Sequence, residues 1–192
     1  MSQQILEFSV AQSWDGSPLL PEESPTEFRV LSLEGALRLE VDAPFYGDPA
    51  PSSEPGSTDG LWDFEVVEGF VVGTPLHGGE VPYLEIELSP HGHYLALSLC
   101  GVRQRKAVLA PLDYTVEWSE HRWKGCAWIP RDWLPSLVWK HNAYAIHGVG
   151  DKRRYLAMTP VPGEQPDFHR LSYFSPITSR LNRPSSYGGS RS

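Results

Sequence analysis

Tyr83-Leu84-Glu85-Ile86-Glu87-Leu88, a turn at Ser89-Pro90-His91-Gly92, then His93-Tyr94-Leu95-Ala96-Leu97-Ser98-Leu99-Cys100: this stretch reads as a hairpin with period 2. In its first arm Leu84, Ile86 and Leu88 share the core face, and Tyr83, Glu85 and Glu87 share the other. In its second arm Leu95, Leu97 and Leu99 are predicted to point inward. Upstream, Trp62-Asp63-Phe64-Glu65-Val66-Val67-Glu68-Gly69-Phe70-Val71-Val72 is apolar on both faces, as expected of a strand in the middle of a sheet. Further out, residues 28–32 and 36–41 alternate around a Glu34-Gly35 turn, and strands are predicted at 112–118, 122–129, 142–148 and 154–158. The one helix candidate is short, near residues 130–135, opened by Pro130 and stopped by Pro135. There is no alternation of strand and helix. The pattern predicts an all-β chain, an antiparallel β-sandwich.

The 192 residues suffice for one domain with a real core, predicted over 1–178, followed by a Gly/Ser-rich tail over 179–192. Seventeen Gly and eighteen Pro disfavour an all-helical chain. Asp42 to Gly60, with four prolines, four acids and no base, is a long loop of the kind that usually carries function. The net charge of −8 argues against nucleic acid or an anionic membrane as partner. Residues 34–88 hold twelve acids and one base, Arg38, whereas 100–154 hold ten bases and five acids. No stretch approaches the roughly 20 apolar residues of a membrane span, and the start lacks the signature of a secretory signal, so a cytoplasmic location is expected. Cys100 and Cys126 each sit in an apolar alternation, which favours buried thiols over a disulfide.

Several motifs occur in a telling order: Asp42-Ala43-Pro44-Phe45, the run from Leu61 to Glu68, the run from Tyr83 to Gly92, Ala145-Ile146-His147-Gly148 and Pro166-Asp167-Phe168-His169. From about Trp14 to Phe174 the chain resembles a family of small proteins found in animals and bacteria that carries no assigned activity. The order of its acidic strand, Tyr-x-Glu-x-Glu strand, Ser-Pro-x-Gly turn, Trp-x-Gly strand and Ile-Pro is also similar to the family-9 carbohydrate-binding modules and the DOMON-like domains. That likeness implies a β-sandwich that holds a sugar, with calcium nearby in some members and haem in some DOMON relatives. Secreted enzymes carry most such modules, so a cytoplasmic one is unusual.

The acids come first among the candidates. If the 62–72 and 83–88 strands are neighbours, Glu65 or Glu68 lies close to Glu85 and Glu87. Like charges so close must be protonated, bridged by a cation or paired with arginine. Pairing with Arg38, Arg122, Arg153 or Arg154 is the structural reading, hydroxyl binding the functional one, and calcium, which takes such hard oxygen ligands, the third. Glu68 shares a face with Phe64, Val66 and Phe70, where an acid needs a partner or a cleft. Trp14, Trp62 and Tyr83 are candidates to stack on a sugar's C–H face, with carboxylates meeting its hydroxyls. Trp118, Trp123, Trp128, Trp133 and Trp139 are predicted to build core or cover a sheet edge. His147 and His169 are further candidates, each with a hydrogen-bonded structural role as the alternative. No nucleophile elbow, phosphate loop or metal-ligand spacing is present.

These readings converge on a non-catalytic binding domain for a carbohydrate or related polyol. Its cleft is expected between the 42–60 loop and the outward residues of the 62–72 and 83–88 strands. The alternatives are an enzyme acting on a small sugar-like substrate with Glu and His as acid and base, and a protein-interaction domain with its aromatics buried.

Overall fold

The computed structural model describes residues 4–177; the tail expected from 179 onward lies outside them. In chain order the strands are β1 (Gln4–Val10), β2 (Gln12–Ser13), β3 (Thr26–Ser32), β4 (Ala36–Pro44), β5 (Val66–Val72), β6 (Pro82–Leu88) and β7 (Tyr94–Cys100). Then follow β8 (Arg105–Val108), β9 (Asp113–Trp118), β10 (Arg122–Pro130), β11 (Lys140–His147), β12 (Arg154–Ala157) and β13 (Ser175–Pro176). One sheet has the order β1-β3-β4-β10-β9; the other runs β2-β12-β11-β5-β6-β7-β8, with β13 beside β11. All pairings between these strands are antiparallel. The two sheets face each other across Phe28, Leu39, Val41 and Trp123 on one side and Val67, Leu84, Ile86 and Ala145 on the other. This is the predicted β-sandwich.

The hairpin that decides the fold is β6–β7. Gly92 turns it with φ 82, a left-handed conformation that a Cβ would strain, and its N–H donates to the Ser89 carbonyl. The turn sets the register Leu88↔Tyr94 and Ile86↔Ala96. Tyr94 and Ala96 therefore join Leu84, Ile86 and Leu88 in the inter-sheet core. Leu95, Leu97 and Leu99 fall on the opposite face, beside Glu85 and Glu87, which corrects the inward orientation read from alternation. Both parities of that strand are apolar, so alternation could not choose; hairpin length did.

The larger sheet thus buries its outer face as well. Phe70, Tyr83, Leu97 and Tyr144 lie there under Leu61, Leu171 and Phe174, with Phe64 and Phe168 packed against them. The predicted strand start at 62 is instead a 3-10 turn, Leu61–Asp63, with Phe64 N–H bonded to the Leu61 carbonyl. Gly60, at φ 76, opens it, and Leu61 is driven into the outer core. The predicted short helix is likewise a single 3-10 turn, Arg131–Trp133.

Of the five clustered tryptophans, Trp123 is fully buried in the core and the partly buried Trp133 packs against that core. Trp128 is exposed on the smaller sheet's outer face beneath Arg38, and Trp118 packs edge-on against Phe45. Trp139 is also exposed and ties its indole N–H to the Gly73 carbonyl. Cys100 and Cys126 are free and lie in different sheets.

Candidate functional site

β5 lies between β11 and β6, with Glu68 opposite Glu87 and Phe70 opposite Glu85. The pleat puts Glu68, Glu85 and Glu87 on the outer face, where they are 2%, 4% and 0% exposed. Isolated buried carboxylates are among the most costly groups a fold can hold. The expected arginine partners are engaged elsewhere. Arg38 pairs with Glu40, Arg122 with Asp42 and Arg154 with Glu23. Arg153 spends its donors on the carbonyls of Gly148, Trp62 and Phe64. Among the described residues, Glu85 Oε2 and both Glu87 oxygens find no hydrogen-bond partner.

Burial favours the protonated form of all three acids. Burial pushes the Glu85 carboxyl up to about 7, against the opposing pull of Arg105 and Arg103. Burial raises Glu68 well above the usual range, and Glu85 beside it adds to the effect. Glu87 is raised in the same way by burial and then by Glu68 and Glu85. Protonated, they can donate as well as accept hydrogen bonds.

The cover over this face is incomplete, and the gap is a cavity of about 710 Å³. Glu68 and Glu85 line its floor, with Leu97, Leu99 and Ile146. Trp62, 37% exposed, stands on one rim; Phe168 and His169 stand on another. Arg103, Arg105 and Arg153 complete the mouth. Phe168 is held flat against Tyr144, centroids 3.7 Å apart. Arg105 lies over the Trp62 ring at 5.2 Å.

Tyr83 is 1% exposed and works from below. Its hydroxyl accepts from the Arg103 N–H at 2.9 Å and meets His169 Nδ1 at 2.8 Å. A buried phenol needs an acceptor for its proton, and His169 Nδ1 is the one in reach. Burial keeps the His169 ring neutral, down to about 4. With Nδ1 accepting, Nε2–H is the remaining donor of a ring that lines the cavity.

Trp62, Glu68, Glu85 and His169 are therefore brought together, with Tyr83 beneath them and Glu87 behind. Trp14, Glu65 and His147 do not line this cavity. Trp14 sits in the turn after β2, its backbone bonded to Tyr155 and Val161. Glu65 accepts the N–H groups of Tyr46 and Asp48 and so ties down the 42–60 loop; burial outweighs these bonds and raises its carboxyl to about 7. That loop was expected to form a cleft wall, yet none of its residues lines the cavity. It is pinned instead by Thr58 on His93, Asp48 on Gly148 and Asp59 on Arg105. His147 stacks on Tyr46 at 3.6 Å and bonds Glu23 at 3.0 Å. Gly148 follows it at φ 79, where a Cβ would stand 2.2 Å from the Lys152 carbonyl oxygen. This shapes the loop that carries Val149 and Arg153 to the mouth.

Arg103, Arg105 and Phe168 were missed as site residues. The only signal for Phe168 is its place in the Pro166-Asp167-Phe168-His169 motif, and Arg103 in its turn and Arg105 at the start of β8 carry none. Among the described residues no group of three or more His, Cys, Asp or Glu side chains is placed to hold a metal ion. Nor is any helix long and apolar enough to cross a membrane.

No family model matches the chain. It is 41% identical to the UPF0462 protein C4orf33 homolog of Rattus norvegicus over 181 residues, 90% of this chain and 88% of that protein. It is 40% identical to the human UPF0462 protein C4orf33, covering 88% of this chain and 86% of the relative. The corresponding zebrafish protein, from Danio rerio, is 37% identical over 90% of this chain and 89% of its own. Among solved structures, a Bacteroides uniformis protein provisionally described as carbohydrate-binding superposes with a TM-score of 0.65 at 17% identity. That match covers 90% of this chain and 84% of the other, and it shows a shared fold.

Proposed function

The chain belongs to the UPF0462 family, and from the geometry of its cavity we propose that it is a non-catalytic binding domain for a carbohydrate or related polyol. The observation that carries this reading is Glu85. Glu85 is 4% exposed, one of its carboxyl oxygens finds no hydrogen-bond partner among the described residues, and it lines an open cavity rimmed by the partly exposed Trp62. A fold retains an unsatisfied polar group when something else satisfies it, and hydroxyls do so for a carboxylic acid. Leu97, Leu99, Phe168 and Trp62 supply apolar surface for a sugar's C–H faces. The volume lies within the range of small-molecule pockets, about 300–1,000 Å³. The described use of the Bacteroides uniformis protein points the same way. Free Cys100 and Cys126 suit the reducing cytoplasm proposed for the chain.

A glycan array followed by calorimetry tests it. Binding in the millimolar range or tighter is expected, weakened about tenfold by Trp62→Ala through loss of stacking. Absence of binding to any sugar at millimolar concentration would falsify the reading.

One observation favours an enzyme instead: a carboxyl raised to about 7, in a cavity with the neutral His169, has the properties of a general acid. If a sugar-like substrate is turned over, Glu85→Gln should abolish turnover while leaving binding intact. Turnover unchanged in Glu85→Gln and His169→Ala eliminates this alternative.

A further inference from the structure

The mouth of the cavity differs in chemistry from its floor. Three guanidinium groups, Arg103, Arg105 and Arg153, line it, against one acid outside the floor, Asp63. Arg153 is locked in place by three carbonyl oxygens and forms no ion pair with a described acid. Arg103 donates from Nη2 to Asp167 at 2.8 Å, and Arg105 from Nη1 to Asp59 at 2.8 Å. Neither acid lines the cavity. Both pairs are substantially exposed, so each contributes little and leaves guanidinium N–H donors for a ligand. The Arg103 backbone is itself positioned, since its N–H is held by the buried Tyr83 hydroxyl at 2.9 Å. The floor beneath holds two buried carboxyl groups, Glu68 and Glu85, that form no ion pair with any described residue.

On the reading that this cavity is the ligand site, we propose that its ligand is an acidic sugar. This is a monosaccharide-sized polyol bearing a carboxylate or phosphate, the anion held by the N–H donors of Arg103 and Arg105 with the charge of Arg153 beside them, and the hydroxyls held by Glu68 and Glu85. The geometry separates the two tasks. Guanidinium groups are the side chains best suited to an oxyanion, because their N–H donors match its oxygens in pairs. A neutral sugar has no group that needs three of them. The carboxyl groups below are too deeply buried to meet a bulky anion from solvent, but they face hydroxyls of a ring laid across Trp62 and Phe168. An anion at the mouth also favours the protonated form of the floor, so the two halves of the site support each other.

Calorimetry on the full chain at low salt tests this. The probes are glucose and galactose, their uronates, glucose 6-phosphate, and inorganic phosphate and acetate alone. A uronate or the sugar phosphate should bind roughly tenfold or more tightly than its neutral parent, since charged hydrogen bonds are the stronger class. Which of the two binds identifies the anionic group. Arg103→Gln and Arg105→Gln, both at exposed side chains, should each remove most of that advantage, and added salt should do the same. Neutral sugars binding as tightly as acidic ones overturns the acidic-sugar inference and leaves the binding function standing. Inorganic phosphate or acetate matching the acidic sugars overturns it too, as an adventitious ion only. Binding by no sugar overturns both.

Discussion

Two buried acidic regions of the larger sheet are treated in opposite ways. At one end, Glu23 is surrounded by donors. Arg154 Nε and Nη2 reach it at 2.8 and 3.2 Å, His147 Nε2 at 3.0 Å and the Leu20 N–H at 2.7 Å. Burial alone would raise this carboxyl, but those bonds outweigh it and hold the group below the usual range. On the outer face of β5 and β6, Glu68, Glu85 and Glu87 are more deeply buried, form no ion pair with a described residue, and are raised. Both regions are shielded from solvent, the central acids more deeply, and their partners differ. The satisfied acid is a structural knot. The unsatisfied ones lie on or behind the floor of a cavity, where a ligand can supply what the fold does not.

The sharpest way to break this contrast is to remove one acid from each region. Glu23→Ala leaves Arg154 and His147 without their partner, and chemical denaturation should show a loss of about 3 kcal/mol, with Arg154's partial exposure already discounted. A loss below about 1 kcal/mol would mean the knot holds nothing.

The pH dependence should differ in sign. Glu85 rises from 4.5 to about 7 on folding. Between those values the folded chain keeps a proton that the unfolded chain has released, so this group's contribution falls as pH rises, by about 1 kcal/mol per pH unit. Glu23 is lowered on folding, so its contribution is present above 4.5 and is lost as pH falls through the folded value. Urea midpoints measured against pH should therefore show Glu85→Gln gaining on the parent from 4.5 to about 7, and matching its slope below. Parallel curves through that window contradict the raised carboxyl.

Glu87 has no hydrogen-bond partner among the described residues to lose. Glu87→Met should stabilise the chain by about 1 kcal/mol at pH 7, because it removes an unsatisfied buried acid at similar volume. A destabilisation as large as that of Glu23→Ala would place Glu87 in the knot's class. The smallest effect is expected for Trp62→Ala, which should change stability by less than about 1 kcal/mol because the ring stands half exposed at the rim. If thermal melts drop it as far as Glu23→Ala, the ring is a core element.

Much of the site was legible in outline. Glu68 stood out because it interrupts an apolar parity, and Glu85 and Glu87 because they share a strand face at i and i+2. Both signals are local, and period 2 carries them. Trp62 was found as the aromatic that opens the acidic run. Pairing the 62–72 and 83–88 strands groups Glu65 with Glu85 and Glu87, but Glu65 lies just before β5 and ties down the 42–60 loop, and only three-dimensional hydrogen bonds reveal that. His147 stands as a candidate whose alternative is a hydrogen-bonded structural role, and its bond to Glu23 fits that alternative, with Gly148 turning the chain beside it. The arginines of the mouth were invisible as a group, because 103, 105 and 153 are joined only when β7, β8 and the loop before β12 meet over the same sheet.

The amino-acid sequence by itself determined the class of fold, nine of the thirteen described strands (not β1, β2, β8 or β13) and the faces of β6, because alternation, turn residues and the scarcity of helix formers act over a few residues. Tertiary structure decided the rest. Hairpin register turned Leu95, Leu97 and Leu99 to the outer face, distant arginines chose Glu40, Asp42 and Glu23 over the central acids, and an incomplete cover left those acids open to a cavity. Whether a buried charge is satisfied depends on groups far away in the chain, and no local pattern encodes them.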